Sequence, residues 1–418
     1  MGKLSEHIFW IDFVEGDSLM DRIHDLEQPG TQDELGLGRI RDYFADSFFP
    51  GTTTVMTRAR YFLFIPAIYY FYERSGEKVG IDEIKRKQNE LRERLETYRR
   101  KHGNKVSADS YGIIGSVSKE RLKRWPDSIY WNGITKLGIF TKKEWSRSYY
   151  LNVINRREKR LYDDDDNAQD DSLQLNAWDF RYDEFKKFYF FKDNIFKDDE
   201  NGIPLELLKS EALYLREKLS SQADSLYQFL INQKREYGEG IFWEIPGLPR
   251  FDDVRDAKNF SFLGKGLWLS YYFFLSKKKK NGKEDYFYDL FKKWYQATKH
   301  ELKKWDYSYF LSKHQKVTYF NKPVIRSSDL SFLTDTYQNI FKLSSNISSI
   351  LQKNEIHIKN REHFVKGDVR AKLFNDKAME EWDGKIETLE DHLYEYDYRW
   401  QRPVRTIIND VIRGLKRV

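Results

Sequence analysis

The densest chemistry in the chain is cationic. Between Lys119 and Arg160 stand twelve bases: Lys119, Arg121, Lys123, Arg124, Lys136, Lys142, Lys143, Arg147, Arg156, Arg157, Lys159 and Arg160. Four acids oppose them (Glu120, Asp127, Glu144 and Glu158), so the segment carries +8 while the whole chain carries +6. Such a cluster attracts phosphates by releasing condensed counterions, and Arg or Lys at a helix start fixes register on a duplex without reading its sequence. The competing readings are a solvated face in a lysine-rich chain and a surface for a protein partner. A second run, Lys277, Lys278, Lys279 and Lys280, opens a stretch to Lys316 with twelve bases and five acids, net +7. Tyr286, Tyr288, Trp294, Tyr295, Trp305 and Tyr309 are interleaved there, which suits either a helical core or stacking on single strands.

Other chemistry is missing. The chain has no cysteine, which excludes disulfides, thiol nucleophiles and iron–sulfur clusters. Its eight histidines form no HExxH pair, and neither a GxSxG elbow nor a GxxxxGK[ST] loop is present. His357-Ile358-Lys359 opens like the HxK of a phospholipase D motif, but Phe364 stands where that motif needs Asp. Asp252, Asp256 and Lys258 fit an acid…acid-x-Lys nuclease pattern. Similar spacings at Glu83–Lys85 and Glu184–Lys186 make the match uninformative. The expectation is no catalytic residue, no metal and no cofactor.

The elements that would position the cations read as follows. Trp125-Pro126-Asp127-Ser128 announces a helix with Ile129, Tyr130, Ile134 and Leu137 on one face, and Gly138 ends it. Thr141-Lys142-Lys143-Glu144 reads as a capping box opening a second helix with Trp145, Tyr149 and Val153. Helix, glycine turn, helix is the order of a helix-turn-helix or winged-helix unit. Sign then reverses: from Asp163 to Glu200 thirteen acids face five bases, net −8. That run lacks the Gly and distal Glu of a calcium loop.

Ahead of this unit, Phe9, Ile11 and Phe13 alternate as in a strand, and Ser18 caps a helix with Leu19, Ile23 and Leu26. A capping box at Thr31–Glu34 leads a helix burying Ile40, Phe44 and Phe48, stopped by Pro50-Gly51. A helix buried on all sides is expected over Val55–Tyr72, and an exposed one over Asp82–His102. Arg39, Arg41, Asp42, Asp46, Arg58 and Arg60 sit among these apolar residues. They are expected to form buried or half-buried ion pairs that lock two helices together, with a polar binding site as the other reading. Beyond Pro204 a long helix carries Leu208 to Leu230, and Asp252–Ser276 forms another, which Gly264 and Gly266 are expected to interrupt for close packing. Pro403 begins a terminal helix with the stripe Val404, Ile407, Ile408, Val411, Ile412 and Leu415.

The fold expected is mainly α, with a short N-terminal strand and a winged-helix-like middle unit. The organisation is a helical domain over 1–105, the basic unit over 106–162, an acidic linker over 163–172 and a second helical domain over 173–418. The N-terminus has no basic segment leading into a long apolar run. The most apolar stretch, Tyr61–Tyr72, is twelve residues long and holds Pro66, against about 20 for a membrane span. A cytoplasmic protein with no membrane contact is the expectation.

Several blocks carry a resemblance: Asp33–Asp46, Phe49-Pro50-Gly51-Thr52, Thr57–Phe64, Ser128-Ile129-Tyr130-Trp131, Asp256–Ser261 and Asp397-Tyr398-Arg399-Trp400. Together they resemble an uncharacterised bacterial domain-of-unknown-function family. Its segment after the equivalent of Phe260-Ser261 often carries a His-Gly pair, where this chain has Lys265-Gly266. Members resemble accessory components of anti-phage defence loci found beside helicases and nuclease-like proteins, and no activity follows from the likeness. The leading expectation is a non-enzymatic nucleic-acid-binding accessory subunit, with DNA as first ligand. Lys119, Arg121, Lys123, Arg124, Lys136, Lys142, Lys143, Arg147, Arg156 and Arg157 would make the contacts, and Lys277 to Lys280 an auxiliary site. The rivals are a scaffold for a helicase or nuclease partner and an unrecognised metal-dependent nuclease.

Overall fold

Ile40, Phe44 and Phe48 recur every four residues, and in the computed structural model of the chain they line the buried face of helix α1 (Gly38–Phe48). The structure describes residues 35–75, 77–102, 111–118, 121–156, 175, 177–179, 202–361, 379–380, 383 and 396–417. The expected strand at Phe9–Phe13, the helix from Ser18, the capping box at Thr31–Glu34 and the acidic linker lie outside them. Thirteen α-helices and one two-stranded hairpin make up the described residues. None of these helices is long and apolar enough to cross a membrane. The chain forms two compact units. The first is built from Asp46–Gly240 with Arg399–Val418, the second from Ile241–Tyr398 with the stretch ending at Ala45.

In the first unit, α2 (Tyr61–Ser75) buries Tyr61 through Ile65, Ile68, Tyr69 and Tyr72, and accommodates Pro66 inside. Helix α3 (Ile81–Lys101) packs on it through Ile84, Leu91 and Leu95, with its exposed charges paired along the helix, as at Lys87–Glu90. Helices α4 (Pro126–Lys136) and α5 (Arg147–Arg156) follow. Gly133 of α4 meets the chain at Gly51 so closely that a Cβ would stand 2.2 Å from the Gly51 carbonyl. Helices α6 (Lys209–Ser220) and α7 (Tyr227–Asn232) cover the terminal helix α13 (Arg405–Lys416), whose Ile407, Ile408, Val411 and Ile412 are buried.

Two helices differ from expectation for the same reason. The buried helix begins at Tyr61, not Val55. The amides of Thr57 and Arg58 donate to the Tyr130 hydroxyl and that of Ala59 to the Asp410 carboxylate, so side chains satisfy them in place of helical carbonyls. The long helix expected over Leu208–Leu230 is broken after Ser220. The Leu226 amide donates to the Phe48 carbonyl at 3.0 Å, and Asp224 takes a left-handed φ of 57°.

Charged pairs tie distant segments of this unit together. Arg60 and Glu211 are both wholly buried at 2.9 Å. Arg60 also donates to the Pro204 carbonyl, and Glu211 accepts the Leu208 amide. Arg58 reaches Asp410 at 2.8 Å, and Arg399 reaches Asp46 and the Thr52 carbonyl. Buried and half-buried ion pairs therefore account for Arg58, Arg60 and Asp46, the first of the two readings the sequence offered, although their partners lie far along the chain.

In the second unit α8 (Phe251–Lys279) runs unbroken for 29 residues, about 44 Å, so Gly264 and Gly266 do not interrupt it as expected; both keep helical geometry and serve only to let side chains approach. Its Gly266 lies under Trp294 of α9 (Glu284–Lys304), where a Cβ would come within 2.2 Å of the ring, and Gly264 likewise lies under Tyr396. Helix α10 (Tyr307–Lys316) leads into the hairpin β1 (Thr318–Tyr319) and β2 (Lys322–Pro323), turned by Phe320 and Asn321 at positive φ. Arg39 holds the hairpin by donating to the carbonyls of Tyr319, Lys322 and Pro323. Helices α11 (Ser327–Asn339) and α12 (Ser345–Arg361) complete the unit.

His314 is buried in this core against Tyr43, Phe44 and Phe310, with ring centroids 5.5, 5.3 and 4.6 Å away. Its Nδ1 donates to the Phe310 carbonyl at 2.9 Å, while Nε2 finds no partner among the described residues. Burial holds its pKa below the ordinary 6.5, and nearby Lys313 adds to this against the opposing pull of the Phe310 carbonyl, Asp256 and Asp253.

Two outcomes follow. Glu211→Ala strands the Arg60 charge and should cost about 3–5 kcal/mol in urea unfolding. The double replacement Arg60→Met with Glu211→Leu should cost much less, and equal losses would refute this account. The folded state favours neutral His314, whereas the unfolded chain takes up a proton near 6.5. Stability should therefore fall as pH drops through and below that value. His314→Gln should remove that part of the slope in urea midpoints measured between about pH 7.5 and 5.

Candidate nucleic-acid interface

The cationic segment rests on a helix pair locked by one carboxylate. Trp125 is extended ahead of Pro126, which occupies the first turn of α4. Asp127 then lies buried in that turn. Its carboxylate accepts the Tyr69 hydroxyl at 2.8 Å, the Ser128 amide at 2.8 Å and the Arg147 guanidinium at 3.0 Å. Burial, then the adjacent Asp127 charge, pushes the Tyr69 hydroxyl well above its usual range, so it stays a donor. The Asp127 amide donates to Gln88 of α3.

After Gly138, at φ +69°, the link 137–146 packs through Phe140. Its ring lies 4.9 Å from Trp131 and from Trp178 and 5.1 Å from Tyr150. Phe140 and Trp178 also form an isolated antiparallel bridge. Helix α5 opens later than its sequence suggested: residues 141–146 are not helical, and the Ser146 hydroxyl, not that of Thr141, accepts an amide of the first turn, that of Tyr149. At the far end the Asn155 side chain exchanges two hydrogen bonds with the Val79 backbone, at 2.8 and 2.6 Å.

On this frame Arg121 and Lys123 precede α4, Lys136 ends it, Lys143 stands in the link and Arg156 ends α5; all five are exposed. Lys142 is half-buried. No ion pair joins any of these six to another described residue. Arg124 is half-buried and engaged by neighbouring groups, and Arg147 is held by Asp127. Lys119 and Arg157 lie outside the described residues. The cations do not share one point: α4 separates Arg121 and Lys123 from Lys136 by about 16 Å.

Lys277, Lys278, Lys279 and Lys280 belong to the second unit. They end α8, where positive charge complements the C-terminal dipole, and Lys280 takes a left-handed cap at φ 57°. Lys279 is half-buried and bonds Glu380; Lys277, Lys278 and Lys280 are exposed, and Lys278 is also engaged by a neighbouring group. The nuclease-like triplet is dispersed into pairs. Asp252 meets Arg255 at 2.9 Å, buried Asp256 accepts the Trp305 indole at 2.9 Å, and Lys258 lies 3.4 Å from Glu301. Among the described residues no group of three or more His, Asp or Glu is placed to hold a metal.

Sequence reasoning missed Asp127 and Asn155 as the residues that fix the pair. An acid inside a basic segment, directly after the helix-opening proline, was the available signal for the first. Residues 5–175, fewer than half of the 418, match a family of unknown function (DUF6361), and this span contains the whole basic segment. No curated protein and no solved structure matches the chain.

If Arg147 is a strut and Lys143 a free cation, their removal has unlike costs. Arg147→Met should lower stability by about 3 kcal/mol, because it leaves a buried carboxylate without its cation. Lys143→Met should stay within about 0.5 kcal/mol in the same urea titration.

Proposed function

We propose that the protein is a non-enzymatic accessory subunit of a prokaryotic anti-phage defence system that binds nucleic acid, DNA first, through its middle segment. One observation carries this reading. Arg121, Lys123, Lys136, Lys143 and Arg156 are exposed around a rigidly locked helix pair, and no ion pair joins them to another described residue. A polyanion gains affinity from such cations by counterion release, with no pocket required. We take the middle segment as winged-helix-like. The order α4, glycine turn, α5 supports this, and so does the single Phe140–Trp178 bridge beside the pair. Asn152 and Arg156, one turn apart on the exposed face of α5, would then face the groove. The defence setting rests on the resemblance of the Asp33–Asp46 and Thr57–Phe64 blocks.

A protein scaffold is the second reading. It draws on Phe251 and Tyr309 of the second unit, which are 70% and 59% exposed, uncommonly open for such large side chains. Salt separates the two, because phosphate binding weakens steeply with salt and an apolar interface does not.

Replacing Arg121, Lys123, Lys143 and Arg156 together with Glu should abolish duplex binding in fluorescence anisotropy while the melting temperature holds. Single replacements should each flatten the log K against log salt slope by about one. Unchanged retention on DNA by the fourfold variant would remove the middle segment from the interface. Arg147 is left out of this set because its loss would damage the fold.

A further inference from the structure

Helix α9 carries two stripes one residue apart. Phe287, Phe291, Trp294, Thr298 and Leu302 are buried. A shift of one residue, about 100° around the axis, gives Tyr288, Lys292, Tyr295, Lys299 and Lys303 along about 22 Å. Two tyrosines and three lysines share this stripe, and each of the three ammonium groups lies over a ring. Lys292 is 4.6 Å from the centroid of Tyr288, Lys299 is 5.1 Å from Tyr295, and Lys303 is 6.0 Å from Phe341. Phe341 in turn lies 6.2 Å from Tyr295 and continues the row. Tyr288 is 43% exposed, so burial does not account for it.

Charge along the helix is divided. Glu284, Asp285 and Asp289 occupy its first two turns, where they complement the N-terminal dipole, and Asp289 pairs with Lys292 at 2.7 Å. From Leu290 to Lys304 five lysines stand against Glu301 alone, and Glu301 lies 3.4 Å from Lys258.

We propose that this stripe is a track for single-stranded nucleic acid, with bases stacking on Tyr288 and Tyr295 and phosphates meeting Lys292, Lys299 and Lys303. An unpaired, unstacked base offers its π-face, so exposed Tyr288 followed by half-buried Tyr295 selects single strands over duplex, while the lysines beside them follow the backbone. The inference shares its ligand class with the function proposed above but rests on different residues in the other unit.

The test uses the full-length protein with two labelled probes: an oligothymidylate of about ten nucleotides and an abasic strand of equal charge. Tyr288→Ala should weaken oligothymidylate binding on the order of tenfold and leave the abasic strand unaffected, and Tyr288→Phe should restore it. Lys292, Lys299 and Lys303 replaced by Glu should weaken both probes. The fourfold middle-segment variant should lose duplex binding and keep oligothymidylate. Equal affinity of Tyr288→Ala and wild type for oligothymidylate would overturn the track. So would a polyglutamate peptide that displaces the oligomer at equal charge, since the surface would then serve an acidic protein. Loss of oligothymidylate binding in the middle-segment variant alone would overturn it as well, and would leave the function proposed above standing.

Discussion

A carboxylate taken out of water must be met by donors, and Asp127 is met by three. Tyr69 comes from α2, Arg147 from α5 and the Ser128 amide from its own helix, while its own amide reaches Gln88 of α3. Each bond is useful only if the helix that brings it lies in register with α4. One residue thus fixes the relative placement of four helices. The link 137–146 inherits this order, because both of its ends are anchored and Phe140 is gripped between Trp131, Trp178 and Tyr150. Lys136, Lys143 and Arg156, on the link and at the helix ends, have defined positions as a consequence, although none of the three helps to define the fold.

The same logic governs the rest of the first unit at longer range. Arg58 pairs with Asp410, 352 positions away, and Arg399 with Asp46, 353 away. Arg60 pairs with Glu211 across 151. Buried pairs of this kind add little stability over apolar replacements of equal volume, but losing one partner is expensive. Their effect is to select one arrangement among many compact ones. They also reshape the local chain: residues 57–59 stay out of helix α2 because Asp410 and Tyr130 bind their amides.

Periodic features were legible in the sequence. Ile40, Phe44 and Phe48, the stripe of α3 and that of α13 depend on spacing within one helix, so local pattern suffices. Gly264 and Gly266 were read as an interruption of α8 for close packing; Tyr396 and Trp294 supply the close approach, but the helix runs on through both. What failed depended on partners far along the chain. Nothing near Val55 says that a tyrosine at 130 and an aspartate at 410 will take the amides of a predicted helix. Nothing near Leu226 says that its amide belongs to Phe48. At the candidate site the charge count was legible, but the division of labour was not. Arg147 and Lys143 look alike in sequence, and only the position of Asp127 separates strut from free cation.

That division bears on how the basic segment should be understood. Arg147 is neutralised at 3.0 Å, whereas Arg121, Lys123, Lys136, Lys143 and Arg156 have no ion pair with another described residue. Like charges on one surface repel within a Debye length of about 8–10 Å. Because α4 holds Arg121 and Lys123 about 16 Å from Lys136, the charges at its two ends are largely screened from each other. A phosphate backbone carries one charge per 1.7 Å of duplex and spans such distances continuously. Arg121 and Lys123 lie too far along α4 from Lys136 to close one pocket around a small anion with it, whereas an extended polyanion, the ligand proposed above, spans that distance.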